Sequence, residues 1–455
     1  MVGAGPAGLV AAWRAATAGH RVNIVERSGH VGGMTASTEV AGIRVDLGSH
    51  RLHPSTPPPL LDALRELLGT DLQTRARNGR IRLRDRWVAF PLRTSDLVAH
   101  LPPVLALRAG LDAVVAPLRH PRRDTFAEVV RAGLGPTITD EFYRPYATKL
   151  WGVDADELAG ELARRRVSAS SPADLARRLV RGARPEGRTF LYPRRGFGQI
   201  AERLAEAAAD AGADVRTGAD VTGLRLAPDG VEATLADGAT VGADRVWSTA
   251  PLPELARLVS PAPPPDVLGA ADRLEHRALV LVYLVLDQAR YTPFDAHYLP
   301  ALDVPVARLS EPRNYRDDPD DPPDRTVLCA EVPCSVGDAI WTADAPALGE
   351  VVVAALADSG LPPVRPSAVE VRRLPRVYPL YRPGFAWHLS TLDLWAADQP
   401  RLLTFGRSGL FVPDNTHHAL AMGWAAAGAL GADGRFDHAD WEAARSSFRA
   451  HVVED

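Results

Sequence analysis

The strongest constraint on the fold is a glycine pattern near the start of the sequence, where residues 3–8 read GAGPAG. This string fits G-x-G-x-x-G, the phosphate-binding turn between a first strand and a first helix. Gly3 permits the tight turn, Gly5 lets the backbone approach a pyrophosphate, and Gly8 lets the helix pack closely on its strand. The free N–H groups at the start of that helix would then face the phosphates.

The residues that follow complete one βαβ unit. The alanine-rich segment Leu9–Thr17 predicts a helix, and Val22–Val25 predicts the second strand. Glu26 ends that strand about 20 residues after the glycines, where a carboxylate accepts hydrogen bonds from ribose hydroxyls. Only Met1 and Val2 precede the turn, where such a loop normally follows a full buried strand. Together these features predict a dinucleotide site.

Two later stretches have the same α/β character. The first has a helical pattern over Gly198–Ala211, followed by strand-like Ala213–Arg216, Val221–Leu226, Val231–Leu235 and Arg245–Ser248. The second has a strand at Leu402–Phe405 and a small-residue helix at Ala419–Leu430. We therefore predict an α/β protein with a Rossmann-type domain assembled from three chain segments and an inserted α+β substrate domain. The predicted bounds are 1–70, 186–265 and 401–455 for the first domain, and 71–185 and 266–400 for the second.

Composition excludes some classes of protein. A formal net charge of −4 gives no basic footprint, so we expect no nucleic-acid partner. The two cysteines, Cys329 and Cys334, are too few for a disulfide framework and favour a cytoplasmic location. No signal-peptide pattern is visible at the start of the chain.

Two segments have an unusual composition. The most apolar one, residues 97–118, is interrupted by charged residues and prolines, so we expect no transmembrane segment. Its simplest interpretation is a pair of substrate-domain helices, and the alternative is contact with a membrane surface. The acidic run Asp317–Asp324 is most simply a solvated loop.

The segment after Glu26 favours FAD over NAD. The string ERSGHVGGMTAS, residues 26–37, resembles a flavoprotein extension whose second glycine pair, here Gly32 and Gly33, approaches the pyrophosphate and ribityl chain. The string GADVRTGADVTGL resembles the adenine-side segment of such flavoproteins, in which Val221 would contact the adenine through its backbone. An ordinary core valine is the alternative at that position. The resemblance implies a non-covalent FAD cofactor.

The resemblance extends over almost the whole chain. The sequence is similar to the superfamily that joins flavin amine oxidases, protoporphyrinogen oxidases and UDP-galactopyranose mutases, and several strings are closest to the mutase-like branch. VDLGSHRLHP, residues 45–54, resembles a histidine loop that passes over the flavin, with Ser49 where glycine is usual. RPYATKLWGV, residues 144–153, resembles a P-Y-x-x-K-x-W segment. Lys149 and Trp151 there fit a structural role at the domain junction as well as a catalytic one.

Two further strings carry the resemblance. RLSEPRNYRDDP, residues 308–319, resembles a strand and loop from which Arg308 reaches the substrate or the flavin edge. GRSGLFVPDNTHH, residues 406–418, resembles a closing motif whose helix points its N-terminus at the flavin pyrimidine ring. Such an N-terminus stabilises the negative charge of reduced flavin. Simple capping by Asn415 or Thr416 is the alternative.

These motifs define the predicted site. The predicted catalytic residues are His50, Arg308, Tyr378 and Tyr381. Both tyrosines lie with Arg382 in RVYPLYRPG, which suits phosphate binding and equally suits a strand that packs its rings into the core. The predicted cofactor-binding residues are Gly3, Gly5, Pro6, Ala7, Gly8, Glu26, Arg27, Gly32, Gly33, Met34, Gly48, Ser49, His50, Val221, Gly406, Arg407, Asn415, Thr416 and His417.

Other chemistries have no support in the sequence. His417 and His418 are adjacent and lack a third ligand at zinc-type spacing, so we expect no metal. No nucleophile elbow is present. The cofactor is therefore the remaining candidate for the reactive group. We expect an FAD-dependent oxidoreductase that transfers a hydride to flavin N5 from a small polar substrate, such as a nucleotide sugar or natural-product precursor. The alternatives are a mutase-like isomerase that uses reduced flavin as a nucleophile, and a non-catalytic flavin-binding protein.

Overall fold

The structure is a computed structural model, and it describes residues 1–91, 96, 99–100, 102–115, 118–167 and 189–453. A parallel sheet forms the half of the molecule that contains the glycine turn. Asp214–Thr217 pairs with Asn23–Glu26, and Val246–Ser248 pairs with Leu402–Thr404, both in parallel. Val2 joins the two pairs, because it forms parallel bridges to Val25 and to Ser248. Three distant chain segments thus build one sheet, which confirms the predicted α/β Rossmann-type fold.

The predicted elements of this half are present, with shifts of a few residues at their ends. Its helices are Pro6–Thr17, Pro58–Leu68, Gln199–Asp210, Leu252–Leu258, Gly406–Gly409, Thr416–Gly428 and His438–Phe448, with short 3-10 turns at Gly33–Thr35 and Gly69–Asp71. Its other strands are Ser37–Val40, Ile43–Asp46, Thr189–Pro193, Val221–Ala227, Gly230–Leu235, Thr240–Ala243 and Val259–Ser260.

Two helices of this half pack directly on each other, although about 400 residues separate them. We call Pro6–Thr17 the first cleft helix and Thr416–Gly428 the second cleft helix. A Cβ atom at Gly423 would clash with the carbonyl oxygen of Ala7, and one at Gly8 would clash with the carbonyl oxygen of Gly3. The absence of these two side chains therefore allows the close approach of helix to helix and of helix to turn.

The other half is organised around a mixed seven-stranded sheet. Its strands, in spatial order, are Ala368–Pro379, His276–Leu286, Thr326–Cys334, Arg308–Ser310, Ala296–Tyr298, Gly79–Leu83 and Arg86–Phe90. All seven fall within the two predicted inserts, while the exact domain bounds stay a prediction. The strand Leu72–Ala76 instead pairs with Thr189–Pro193, which belongs to the half that contains the glycine turn.

Helices also belong to this half, and Ala345–Asp358 packs on one face of its sheet. They are Pro103–Val115, Phe126–Leu134, Pro136–Ile138, Arg144–Trp151, Gly160–Arg166, Pro265–Ala271, Ala339–Thr342, Ala345–Asp358 and Phe385–Ala397, with a π-helical turn at Thr139–Tyr143 and 3-10 turns at Ala155–Glu157 and Pro312–Asn314. Along Thr326–Cys334, residues Leu328, Ala330 and Val332 pack toward Ala345–Asp358. Because side chains alternate along a strand, Cys329 and Glu331 point to the opposite face.

The acidic run Asp317–Asp324 is not simply solvated, which corrects the sequence-based interpretation. The guanidinium of Arg316 is fully buried and donates to Asp321, 2.8 Å away, and to the carbonyl of Arg44 at 2.8 Å. The Asp318 and Asp321 side chains are 9% and 7% exposed. The run folds around one buried cation because an unpaired buried arginine would be costly.

The apolar segment at residues 97–118 contains the helix Pro103–Val115, and residues 97–98, 101 and 116–117 lie outside the described part of the chain. Among the described residues, no helix has both the length and the apolar character needed to cross a membrane.

The close contact between the two cleft helices can be tested with a matched pair of glycine substitutions. We expect Gly423→Ala to lower the free energy of unfolding by about 1–3 kcal/mol, because the new methyl group meets backbone. Gly428→Ala lies in the same helix, where the added Cβ would be 3.4 Å from the end of the Arg14 side chain. This control should be neutral or stabilising by up to about 1 kcal/mol. Chemical denaturation measures both, and equal effects of the two substitutions would contradict the packing argument.

Candidate functional site

A cleft of about 570 Å³ lies between the parallel sheet and the seven-stranded sheet. It opens at the carboxyl ends of the parallel strands, where nucleotide sites form in such folds. Most residues predicted from the sequence meet there: Gly3, Gly5, Pro6, Ala7, Glu26, Arg27, Gly33, Met34, Gly48, Ser49, His50, Val221, Arg308, Tyr378, Gly406, Arg407, Asn415 and Thr416 all line the cleft.

Glu26 marks one end of the cleft. Its carboxylate accepts the Ala4 N–H at 2.8 Å and the Ser28 N–H at 2.9 Å, and the residue is only 8% exposed. These bonds fix the carboxylate beside the glycine turn. A Cβ at Gly5 would have no neighbour within 4 Å, so the turn leaves open space there. The first cleft helix has no side-chain cap, and its first N–H groups therefore suit an anionic group.

The second cleft helix also begins at the cleft. Asn415 is its N-cap and forms a capping box with His418, as the capping interpretation expected. Arg407 braces this end by donating to the carbonyls of Asp414 at 3.0 Å and of Val377 at 2.8 Å. Burial, and next the charge of Arg166, lower the pKa of Arg407 to about 10. Two arginines therefore lie close together in this part of the cleft.

The histidine loop is held by a carboxylate that the sequence analysis missed. Glu331 is 2% exposed and accepts the Ser49 N–H at 2.8 Å. It also accepts two hydrogen bonds of 2.9 Å from Arg308. Although burial alone would lower the pKa of Arg308, Glu331 raises it well above its usual value. A single carboxylate in the otherwise apolar strand Thr326–Cys334 was the available sequence signal.

His50 lies in this loop with a defined tautomer. Its Nε2 is 3.0 Å from the carbonyl oxygen of Leu47, and its ring stacks on Phe197 with centroids 5.3 Å apart. Burial lowers the pKa of His50, so the neutral imidazole is favoured at neutral pH. A carbonyl can only accept, so Nε2 carries the proton and Nδ1 is the basic nitrogen.

A second arginine beside the loop was also missed. Arg51 lines the cleft and forms a buried ion pair with Asp295 at 3.3 Å. It also donates to the hydroxyl of Tyr315 at 3.2 Å, and that hydroxyl lies 2.5 Å from Ser49 Oγ. Ser49, where the histidine loop that this segment resembles has glycine, thus adds a side chain that hydrogen bonds to Tyr315.

Four predicted site residues do not reach the cleft. Tyr381 is fully buried, donates its hydroxyl hydrogen to Phe411 O at 2.8 Å and stacks on Phe385, so its predicted catalytic role is corrected to a core role. His417 is 3% exposed and packs against the rings of His53 and His418 rather than facing the cleft.

The other two are glycines with backbone roles. Gly8 contacts the turn behind the cleft, as its predicted packing role requires. Gly32 has φ +105°, and its N–H donates to Ala4 O at 2.8 Å, so it shapes the turn while Gly33 faces the cleft. Only one glycine of the predicted pair therefore reaches the lining.

Lys149 and Trp151 make structural contacts within the half that contains the seven-stranded sheet. The Lys149 ammonium donates to the backbone carbonyls of Leu299 and Val306, and neither Lys149 nor Trp151 lines the cleft. The Trp151 indole N–H donates to Pro379 O at 3.2 Å. Burial lowers the pKa of Lys149 to about 7.

One group of metal-type donors lies near the second cleft helix and was not expected from residue spacing. Donor atoms of Asp414, His418 and His451 lie within 4.8 Å of one another. His451 Nδ1 is 2.7 Å from Asp414 Oδ2, and His418 Nδ1 accepts the Asn415 N–H at 3.4 Å. These donor atoms thus already form hydrogen bonds within the protein. The expectation of no metal stays a prediction.

The fold and the cleft define a dinucleotide-binding enzyme of the flavoprotein type. The model of the flavin-containing amine oxidoreductase family matches residues 6–415, and the chain belongs to this family. Its cofactor is FAD.

Solved structures agree with this assignment at the level of the fold. A reduced UDP-galactopyranose mutase aligns with a TM-score of 0.82 at 20% identity, over 100% of this chain and 98% of that one. An Exiguobacterium sp. 255-15 protein assigned as a protoporphyrinogen oxidase aligns with a TM-score of 0.71 at 20% identity, over 94% of this chain and 97% of that one. A putrescine oxidase bound to putrescine aligns with a TM-score of 0.64 at 20% identity, over 94% of this chain and 97% of that one.

One curated relative matches in sequence. Coproporphyrinogen III oxidase of Propionibacterium freudenreichii subsp. freudenreichii is 31% identical over 174 residues, which is 35% of this chain. The match spans about a third, 32%, of the relative's length. The comparisons therefore establish the family and the fold, and they leave the reaction and the substrate to be argued from the cleft.

The buried amine of Lys149 gives a pH dependence of stability. The folded protein releases this proton above about pH 7, whereas the unfolded chain keeps it up to the ordinary value of 10.5. The unfolded state binds more protons in that window, so stability should rise with pH. We expect wild type to gain about 2 kcal/mol relative to Lys149→Met between about pH 7 and pH 9. Denaturation curves at several pH values measure this, and parallel pH profiles would disprove it.

Proposed function

We propose that FAD lies along the cleft, with its adenosine ribose at Glu26 and its pyrophosphate at the N-terminus of the first cleft helix. The open space at Gly5, the uncapped helix amides and the fixed Glu26 carboxylate suit these groups. Val221 lies on the same side as Glu26 and would contact the adenine. The isoalloxazine would then lie beside the histidine loop and the N-terminus of the second cleft helix.

The proposed activity is that of an FAD-dependent oxidoreductase acting on a small polar, anionic substrate, such as a nucleotide sugar or natural-product precursor. The bound flavin supplies a hydride acceptor at N5. The observation that carries the proposal is the group His50, Glu331 and Arg308, linked through the Ser49 amide at the cleft wall. This group provides a base and a fixed cation where the substrate would meet the cofactor.

His50 is proposed as the proton acceptor. When a hydride leaves a carbon that bears an O–H or N–H group, that group must also lose a proton. The neutral imidazole has Nε2 bonded to Leu47 O, so its Nδ1 can take the proton. Burial keeps the pKa of His50 low, which keeps the ring in its basic form at neutral pH.

Arg308 is proposed to orient the substrate, with Glu331 as a positioning residue. The bidentate pair holds the guanidinium plane rigidly, and the same carboxylate fixes the Ser49 amide. Tyr298 lies under the guanidinium at 5.8 Å. A rigid cation of this kind costs little reorganisation when charge develops in the substrate.

The charges of the cleft favour an anionic substrate. Its described lining contains eight arginines and five carboxylates, so the excess is positive. Arg166 and Arg407 form no ion pair with a carboxylate among the described residues, and Tyr378 lies near both. Arginine suits phosphate and carboxylate oxygens, whereas a diamine would be repelled here.

The same arginine pair supports a second candidate, an isomerase of nucleotide sugars. Arg166, Arg407 and Tyr378 could bind a diphosphate, and the likeness to the mutase fold covers the whole chain. Glu331 already neutralises the charge of Arg308. We therefore favour the oxidoreductase, because in that reaction Arg308 orients a polar group of the substrate and does not have to balance the charge of a diphosphate. The family consists of enzymes, so the non-catalytic alternative is set aside.

An anaerobic reduction experiment separates the two reactions. We expect the purified protein to carry FAD that is released on denaturation. A panel of nucleotide sugars, porphyrinogens and amines should include an anionic compound that bleaches the flavin absorbance in stoichiometric amounts, while putrescine should not. Turnover that requires prior chemical reduction and consumes no electrons would instead establish the isomerase. A colourless protein with no affinity for FAD would refute the cofactor site.

Replacing His50 tests its role as a base. With the best compound of that panel, His50→Gln should slow flavin reduction by about 10²–10⁴-fold, because no group remains to accept the proton. Its FAD content should stay unchanged. The wild-type rate should fall as pH drops through the lowered pKa of His50, and the variant should lose this dependence. Stopped-flow absorbance measures both, with the exposed His438→Gln as control. An unchanged rate in His50→Gln would remove the histidine from the mechanism.

A further inference from the structure

An exposed apolar surface lies on the described part of the insert at residues 71–185. The helix Pro103–Val115 and the residue Leu118 expose six large apolar side chains at helical spacing. These residues, which we call the apolar stripe, are Val104, Leu107, Leu111, Val114, Val115 and Leu118, with exposed fractions of 62%, 65%, 59%, 77%, 44% and 80%. Six exposed apolar side chains at this spacing, five on the helix and one just after it, form a patch of the kind that marks an interaction site.

Contacts on the opposite face fix the orientation of this helix. Leu105 is 7% exposed, and the Asp112 carboxylate accepts from the Thr137 N–H at 2.9 Å and from Arg119 at 2.8 Å. Asp112 is thus buried and paired, while five large apolar side chains of the helix face outward. This inversion of the usual amphipathic pattern means that the apolar stripe is not a displaced piece of core.

The segment that carries the apolar stripe is basic, although the Glu141 carboxylate lies near Arg108. Arg108, Arg122 and Arg123 are exposed, and none forms an ion pair with another described residue. Asp112 is the sole carboxylate in the sequence from 102 to 123, and it is buried. The patch is therefore locally cationic on a chain whose net charge is −4.

We propose that the apolar stripe docks on the surface of an anionic phospholipid bilayer, with the helix lying in the plane of the interface. Apolar side chains would enter the boundary between headgroups and acyl chains, and the arginines would contact lipid phosphates. The helix has 13 residues, which is too short to cross the hydrocarbon core.

A second copy of the chain fits the surface less well than lipid does. In a symmetric dimer the same patch meets itself, so the basic residues of the two segments would approach each other. Anionic lipid supplies the missing counter-charge. The helix contacts Pro136–Ile138, which leads through the π-helical turn to Tyr146 in the cleft lining, so docking would bring the substrate insert to the membrane.

Vesicle co-sedimentation of the FAD-loaded full chain tests this docking. We expect wild type to sediment with vesicles of phosphatidylcholine and phosphatidylglycerol, and to bind much less to phosphatidylcholine alone or at raised salt. The triple variant Leu107→Gln, Leu111→Gln, Val114→Gln should bind about tenfold or more weakly. It should fold normally, because all three side chains are exposed.

The matched control is Trp387→Gln with Leu394→Gln, which removes two exposed apolar side chains, 64% and 69% exposed, from the helix Phe385–Ala397. This control should bind like wild type. Wild type that stays in the supernatant with both lipids, equal binding to neutral vesicles, or undiminished binding by the triple variant would each overturn the proposal. So would a wild-type dimer in sedimentation velocity that the triple variant abolishes, because a second copy would then occupy the surface.

Discussion

Ala7 and Gly423 come so close that one methyl group at position 423 would collide with the Ala7 carbonyl oxygen, and both cleft helices take their direction from this contact. The first cleft helix starts at the glycine turn and the second starts at Asn415. Since the two are packed together, their N-termini face the same cleft. Two positive helix ends in one cavity suit a cofactor that carries a pyrophosphate at one end and a reducible ring at the other.

The seven-stranded sheet supplies the chemistry that the parallel sheet lacks. Glu331 sits on the cleft face of this sheet and connects Arg308, on a neighbouring strand, to the amide of Ser49 in the histidine loop. One buried carboxylate thereby joins the two halves of the molecule at the proposed reaction site. A buried charge of this kind is tolerated because its oxygens accept hydrogen bonds from the Ser49 amide and the Arg308 guanidinium.

The sequence predicted those parts of the site whose backbone conformation follows from a short local pattern of residues. The glycine turn, Glu26 at the end of its strand and the N-cap at Asn415 are of this type, and all lie in the cleft. The sequence pattern did not predict the direction in which a side chain points. Tyr378 lines the cleft and Tyr381 is in the core, although the two are three residues apart and chemically identical.

The sequence by itself determined the Rossmann-type architecture, the family and the FAD cofactor, because glycine spacing and strand patterns are short-range properties of the chain. Tertiary structure alone decided that Glu331 holds Arg308, that Asp318 and Asp321 turn inward, and that an apolar helix face lies outside. Each of these depends on which distant segment packs against the residue. Burial and pairing are set by three-dimensional neighbours, and a pattern along the chain does not encode them.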